Sequence, residues 1–157
     1  MTDALARSLD TSFYVDPSYY DVERREVFAK EWQCVGFEHQ VQRKGDLITE
    51  TVAGWPIFVQ RGADGELRAF HNVCPHRAGP IVLDGQQNQA NLVCRYHGWA
   101  FDQEGALLNA RDFGADLPPD VCLGSIRVGV WRSIVFVCLD PATPSLDEWL
   151  GGWDERM

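Results

Sequence analysis

Two short segments of the sequence carry the side chains most able to do chemistry. They are Cys74-Pro75-His76-Arg77 and Cys94-Arg95-Tyr96-His97-Gly98-Trp99. Each pairs one thiol with one imidazole two or three positions later, and each lies in a stretch with the Gly and Pro residues that are typical of loop tips. Thiolates and imidazoles are ligands for transition metals. Cys74, His76, Cys94 and His97 are therefore predicted to form a metal site.

The order of these ligands bears on which metal they hold. A zinc finger usually keeps its two cysteines together and its two histidines together, with the histidines on a helix. Here the order is Cys-x-His followed by Cys-x-x-His. A zinc-stapled, non-redox interaction module stays open as an alternative, and it would be colourless.

This ligand order resembles that of the Rieske [2Fe-2S] family, in which two histidines replace two cysteines on one of the two irons. The resemblance implies that Cys74 and Cys94 bind the inner iron of a [2Fe-2S] cluster and that His76 and His97 bind the outer, more exposed iron. Two ferric ions, two sulfides, two thiolates and two neutral imidazoles have no net charge, whereas a four-thiolate cluster carries two negative charges. Histidine ligation therefore raises the reduction potential.

The residues beside the ligands resemble the oxygenase type of Rieske protein more than the respiratory type. Gly79 and Tyr96 occupy the positions where the respiratory type has an additional disulfide-forming cysteine pair. Trp99 and Phe101 occupy the positions where it has hydroxyl donors to the cluster. Without those hydroxyl groups the resemblance implies a potential near the low end of the Rieske range, about −150 mV.

Most of the chain is similar to the N-terminal Rieske domain of ring-hydroxylating oxygenase α subunits. The resemblance rests on the Tyr96-His97-Gly98-Trp99 run, on Trp32-Gln33, and on the segments Ala69–Val73 and Val135–Val137. It implies one-electron transfer from a reductase or ferredoxin to a mononuclear-iron oxygenase domain or subunit. A free-standing Rieske ferredoxin stays open, although such ferredoxins are typically shorter and lack a helix like that predicted at the N-terminus.

The two remaining histidines are not predicted to form a second iron site. A mononuclear non-haem iron needs two histidines and a carboxylate, and His39 and His71 lie in no motif of that kind. No catalytic residue is assigned. This chain is not expected to activate oxygen by itself, and the substrate of the associated oxygenase does not follow from the sequence.

Composition and charge narrow the class of protein. The 157 residues are 45% apolar and 24% charged, as in a globular protein, and carry a net charge of −9. This charge argues against nucleic-acid and acidic-lipid partners. It indicates an acidic solvated surface, and it would also suit a basic redox partner. A homo-oligomer stays open.

Cellular location is predicted from the termini and the cysteines. The segment Met1–Asp16 lacks the apolar core of a signal peptide, and no run is long enough to span a membrane. A cytoplasmic location is expected. The cysteines outside the site, Cys34, Cys122 and Cys138, are then interpreted as reduced core thiols.

The surrounding pattern predicts the elements that position the ligands. Asp16-Pro17 is a helix start, and apolar residues at helical spacing predict one amphipathic helix over about 18–32. Short strands and turns follow, which predicts an all-β, Rieske-type antiparallel β sandwich or barrel with two cluster-binding loops. The predicted strands are 34–38, 46–52, 57–61, 66–72, 92–93, 99–101, 126–131 and 134–139, with a hairpin turn at 62–65.

The predicted organisation has three parts. Residues 1–33 form a tail and helix, residues 34–142 the Rieske domain, and residues 143–157 a C-terminal segment leading toward a catalytic domain that the sequence does not contain. Residues 109–122 are predicted to be irregular, and 146–150 to form one helical turn. Two loops projecting from neighbouring hairpins would hold the cluster between them, with backbone amides directed at its sulfur atoms.

Overall fold

Antiparallel β-strands make up most of the regular structure. A computed structural model describes residues 8–84, 88–111 and 120–153. Within these ranges the strands are β1 Gln33–Phe37, β2 Leu47–Val52, β3 Trp55–Arg61, β4 Leu67–His71, β5 Leu92–Val93, β6 Ala100–Phe101, β7 Leu107–Asn109, β8 Ser125–Trp131 and β9 Ile134–Cys138. The helices are α1 Ser12–Val15, α2 Pro17–Glu26 and α3 Leu146–Leu150, and 3₁₀ turns lie at Phe28–Lys30 and Glu38–Val41. The all-β prediction is confirmed.

Six strands form one sheet in the order β1-β9-β8-β4-β3-β2. The edge strands β1 and β2 approach each other, so the sheet curls into a nearly closed barrel. Apolar side chains that alternate along the strands meet inside it, among them Ile57, Val59, Val135 and Val137. This barrel is the base from which β4 leads into the first loop.

The second sheet has three strands in the order β5-β6-β7. Its β5-β6 hairpin carries the second loop, because Val93 pairs with Ala100. Phe101 and Leu92 from this sheet pack with Phe58 and Phe70 of the barrel. Both cluster loops are therefore anchored in one shared hydrophobic core.

The N-terminal helix is shorter than predicted. The start is confirmed, since the Asp16 side chain accepts a hydrogen bond from the Ser18 amide at 2.9 Å, but α2 ends at Glu26 and a separate 3₁₀ turn follows. Trp32 is buried in another cluster, where its indole donates to the Pro144 carbonyl at 3.0 Å. The chain leaves the helix before Trp32 because tertiary packing outweighs the helical periodicity.

The apolar stripe predicted for this helix is not buried in the described structure. Tyr20, Val27 and Phe28 are all exposed, and no residue of α2 is buried. Arg24 links α2 to the barrel, because its guanidinium lies 4.8 Å from the centre of the Trp55 ring.

The other predicted elements agree with the structure to within one or two residues, including the hairpin turn and the helix at 146–150. Strand β7 and the turn at Glu38–Val41 were not predicted. Most of the irregular excursion predicted over 109–122 lies outside the described residues, since 112–119 are not among them.

The prediction of core thiols is wrong for two of the three cysteines. Cys138 is buried, but Cys34 and Cys122 are exposed. Cys34 lies on an edge strand, where successive side chains point to opposite faces. Its neighbour Val35 points into the core. Cys34 therefore points outward, although the segment is apolar.

In the described part of the chain, none of the helices has the length and apolar character needed to cross a bilayer.

Candidate metal centre

The two predicted loops lie side by side at one end of the barrel. β4 ends at His71 and delivers Cys74 and His76, whereas the β5-β6 hairpin delivers Cys94 and His97. A Cβ placed on Gly79 of the first loop would lie 3.1 Å from the Tyr96 Cβ of the second. The loops are therefore in direct contact.

The two loops are closed by the same pattern of backbone hydrogen bonds. In the first, the Cys74 amide donates to the Gly79 carbonyl and the Ala78 amide donates to the Cys74 carbonyl, both at 2.8 Å. In the second, the Cys94 amide donates to the Trp99 carbonyl at 2.8 Å and the Gly98 amide donates to the Cys94 carbonyl at 2.9 Å. Each cysteine thus opens a six-residue turn closed by the same pair of bonds.

The residue that reverses each turn has a left-handed backbone. Ala78 has φ +55° and Gly98 has φ +74°. Glycine adopts this conformation without strain, whereas alanine does not. The sequence gives no sign that Ala78 and Gly98 are structural equivalents, because the histidines stand at different offsets from their cysteines.

The two thiols lie at the buried end of the site. Cys74 and Cys94 belong to the core that contains Phe101, and their side chains interact with each other. Burial raises the pKa of the Cys74 thiol, and the backbone amides of His76 and Arg77 act in the opposite direction. Those amides are directed at sulfur, as the sequence predicted, and they would stabilise a metal-bound thiolate.

The two imidazoles lie together at the outer end. The His76 and His97 ring centroids are 4.7 Å apart, with planes inclined at 64°. The His76 ring stacks on the Trp99 indole at 4.7 Å and 4°, and the Tyr96 ring lies 3.9 Å from the His97 ring. Partial burial, His97 and Arg77 all lower the pKa of His76, which favours the neutral form that binds metal.

Asn72 holds the first loop closed. Its side chain is buried, accepts hydrogen bonds from the Ile81 and Val82 amides at 2.9 Å, and donates to the Val82 carbonyl at 2.8 Å. These bonds join the two ends of the segment that contains Cys74 and His76. Sequence reasoning placed Asn72 on the approach to the loop but did not identify this role.

The remaining histidines do not join the site. His39 is exposed in the 3₁₀ turn, beside a cavity lined by Glu38 and Arg61. His71 is half-buried next to Gly124, and burial lowers its pKa. Among the described residues, no three His, Cys, Asp or Glu side chains converge as ligands of a single ion.

The four predicted ligands instead form a buried thiol pair and an outer imidazole pair. This division fits a cluster with two thiolates on one iron and two imidazoles on the other. Phe101 and Trp99 pack in the core with the buried thiols, so water is kept from the sulfur end of the site. The half-buried imidazoles place the other end close to the surface.

Comparison with known proteins identifies the family. The Rieske [2Fe-2S] domain matches residues 31–122, which is more than half of the chain. The chain therefore belongs to the Rieske [2Fe-2S] domain family, whose cofactor is a [2Fe-2S] cluster. Within that family it is homologous to the Rieske domains of oxygenase α subunits, and the predicted role of a one-electron carrier fits this homology.

Three curated relatives show the level of similarity. The chain is 34% identical over 152 residues to the glycine betaine monooxygenase oxygenase subunit of Pseudomonas aeruginosa, covering 96% of this chain and 35% of the relative. It is 36% identical over 156 residues to the carnitine monooxygenase oxygenase subunit of Escherichia coli, covering 97% and 41%. It is 32% identical over 154 residues to the chloroplastic choline monooxygenase of Atriplex hortensis, covering 94% and 35%. The chain thus spans well under half the length of these relatives.

Solved structures share the fold. The quaternary ammonium Rieske monooxygenase CntA, in complex with γ-butyrobetaine, superposes with a TM-score of 0.87 at 30% identity, over 95% of this chain and 44% of CntA. Naphthalene 1,2-dioxygenase from Rhodococcus superposes with a TM-score of 0.83 at 27% identity, over 90% of this chain and 33% of the dioxygenase.

Proposed function

We propose that Cys74, His76, Cys94 and His97 ligate the [2Fe-2S] cluster and that the chain passes single electrons to the mononuclear iron of an oxygenase acting on quaternary ammonium compounds. The observation that carries the ligand assignment is the pair of loops, which are closed by the same pattern of backbone hydrogen bonds. These loops bring two buried thiols and two adjacent imidazoles together.

The chain's residues suit electron transfer rather than bond chemistry. When bound, the cluster supplies a one-electron couple. Cys74 and Cys94 are deeply buried, which excludes water and fixes the sulfur end in the core. His76 and His97 are half-buried, so the imidazole edges offer the shortest path between the site and a protein docked on this end.

The substrate class is supported by the relatives. Glycine betaine, carnitine and choline all carry a quaternary ammonium group, and CntA is described as a quaternary ammonium monooxygenase. The electron donor proposed is a reductase or ferredoxin, and the acceptor is an oxygenase domain or subunit. The free thiols of Cys34, Cys122 and Cys138 are consistent with the reducing cytoplasm proposed as the location.

Cluster assembly tests the ligand assignment. The purified protein should contain about two irons and two acid-labile sulfides per chain, absorb visible light, and show a Rieske-type EPR signal after reduction with dithionite. Cys74→Ser should lose the signal, whereas Cys34→Ser, a matched change at an exposed cysteine, should keep it. A colourless protein with one bound zinc would contradict the proposal.

Oxygen uptake tests the substrate class. The assembled oxygenase system containing this chain, supplied with NADH and a reductase, should consume oxygen faster when glycine betaine, carnitine or choline is added. Stimulation by naphthalene and by none of these three compounds would contradict the proposed class and leave the ligand assignment intact.

A further inference from the structure

Gln60 is a fully buried polar side chain on strand β3, outside the metal site. Side chains two positions apart on a strand point to the same face, so Gln60 shares the face of Phe58. That face packs against Leu92 and Phe101 of the second sheet. An amide in this place is unusual, because buried positions are normally filled by apolar side chains.

The Gln60 amide is hydrogen-bonded to the base of the β5-β6 hairpin. Its Nε2 atom donates to the Gln89 carbonyl at 2.7 Å, and the Gly45 carbonyl lies at 3.5 Å. Gln103, two residues after β6, also donates to the Gln89 carbonyl, at 3.3 Å. Gln89 itself lies three residues before β5. One carbonyl oxygen therefore joins both strands of the hairpin to the barrel.

Backbone contacts reinforce this junction. The Gln89 amide donates to the Gly45 carbonyl at 2.8 Å, and the Asn88 side chain donates to the Lys44 carbonyl at 2.9 Å. Gly45 has φ +84°, and a Cβ added to it would lie 2.9 Å from the Gln89 carbonyl oxygen. This close approach therefore requires glycine. Gly45, Gln60, Asn88, Gln89 and Gln103 are called the polar joint below.

The direction of these hydrogen bonds carries a cost. The Gln89 carbonyl can only accept, so both amide nitrogens point at it and neither Oε1 atom can. Among the described residues no donor reaches the Oε1 atom of Gln60 or of Gln103, and both atoms are shielded from solvent. A buried acceptor without a donor destabilises a fold, and a methionine of nearly the same shape would avoid this cost. Stability alone therefore does not explain the polar joint.

The hairpin needs directional contacts because its own ladder is short. β5 and β6 share two residue pairs, and β6 and β7 share two more with an irregular register. The apolar contacts of Leu92 and Phe101 with the barrel are non-directional, so they permit small shifts of the sheet. Hydrogen bonds fix both distance and direction. The polar joint supplies them at the open end of the hairpin, opposite its loop.

We propose that Gln60 is a positioning residue, which fixes the β5-β6 hairpin on the barrel and thereby places Cys94 and His97 against the first loop. This inference rests on the proposed function where it concerns the ligands. Cys94 follows β5 directly, and its amide donates to the carbonyl of Trp99, the residue before β6. A shift of the hairpin therefore moves the second loop with it.

Hydrogen exchange tests the proposal on the cluster-loaded chain, with each loop measured separately by mass spectrometry. Gln60→Met keeps the size and shape of the side chain but removes the donor. Exchange across residues 88–102 should accelerate by roughly tenfold, whereas exchange across residues 72–82 should stay close to that of the unmodified chain. The urea midpoint should also change little, because methionine removes the unpaired buried oxygen. Equal acceleration in both loops, or in neither, overturns the proposal.

Two further variants locate the effect. Gln60→Glu keeps the side-chain oxygen but places a carboxylate against the Gln89 carbonyl, so it should accelerate exchange in the second loop more than Gln60→Met does. Gln42→Met is the matched control, because Gln42 is exposed after the first 3₁₀ turn of the barrel, Glu38–Val41. It should leave exchange in both loops unchanged. Acceleration by Gln42→Met equal to that by Gln60→Met overturns the assignment.

EPR separates this inference from the proposed function. A Rieske-type signal from the unmodified chain supports the ligands, and a changed line shape in Gln60→Met shows that the shift of the hairpin reaches them. The same line shape in both proteins refutes the positioning role of Gln60 and leaves the ligands intact. Absence of the signal from unmodified protein reconstituted with iron and sulfide refutes the ligands, and hydrogen exchange then still decides whether Gln60 fixes the hairpin.

Discussion

The imidazole of His76 lies flat against the indole of Trp99, with ring centroids 4.7 Å apart and planes within 4° of parallel. Trp99 is almost fully buried in the core that also contains both site thiols. The core thus extends to the outer pair of proposed ligands through one stacked ring, which supports the orientation of His76.

Trp99→Ala should both destabilise the protein and disturb the site. Removing a buried indole leaves a cavity and should lower the free energy of unfolding by about 3 to 5 kcal/mol. The EPR line shape should change because the His76 ring loses its support, and Trp99→Phe should restore most of it. Trp153→Ala is the control, since Trp153 is exposed, and denaturant titration should show little change. An unaltered line shape in Trp99→Ala would refute the positioning role.

Ala78 and Gly98 form a matched pair for testing the shared turn. Ala78→Gly removes the backbone strain of an alanine in the left-handed conformation, but it also adds the conformational entropy of glycine to the unfolded chain. The net effect should be to stabilise the protein by about 0.5 to 1 kcal/mol. Gly98→Ala should destabilise it by about 1 kcal/mol or more, through backbone strain alone, because the nearest neighbour is at an ordinary 3.7 Å. Urea unfolding measures both, and changes of the same sign would show that the turns are not equivalent.

Gly79→Ala should impair cluster retention. The added Cβ would lie 3.1 Å from the Tyr96 Cβ and 3.2 Å from the Cys94 Sγ, so the second loop must shift, at about 1 to 3 kcal/mol. Iron content per chain should fall. Gly65→Ala is the control, because its new Cβ meets nothing within 4 Å. That variant strains only a distant hairpin and should keep its iron.

Asn72→Ala should open the first loop. The substitution leaves the Ile81 and Val82 amides and the Val82 carbonyl without their buried partner. The free energy of unfolding should fall by about 3 kcal/mol as a result. Asn72→Asp keeps an acceptor for the amides, but a carboxylate near Cys74 should lower the reduction potential. Asn88→Ala removes hydrogen bonds from an exposed asparagine and should cost about 1 kcal/mol or less. Equal losses in the two alanine variants would contradict the clamp.

His97→Cys should lower the reduction potential. Replacing a neutral imidazole by a thiolate adds negative charge to the cluster, and the shift should be on the order of −100 mV. Redox titration followed by EPR measures it. His39→Cys, at an exposed histidine of the 3₁₀ turn, should leave the potential unchanged. A potential that rises or stays constant in His97→Cys would remove His97 from the ligand set.

The sequence by itself determined the family to which this chain belongs and the cofactor of that family. Cys74, His76, Cys94 and His97 could be predicted as ligands because soft and imidazole donors at short spacing in Gly- and Pro-rich loops have few other uses. The strands were predictable for a similar reason, since alternation and turn residues are local signals.

Tertiary structure decided how those residues are held and what surrounds them. The burial of Trp32 beyond the end of α2 and the exposure of Cys34 depend on contacts between segments far apart in sequence. The clamp at Asn72 and the left-handed Ala78 depend on how the first loop closes on itself. Local periodicity carries no information about such contacts. The contact between the two loops is the clearest case, because Gly79 and Tyr96 are separate in the chain and meet only when both loops are folded.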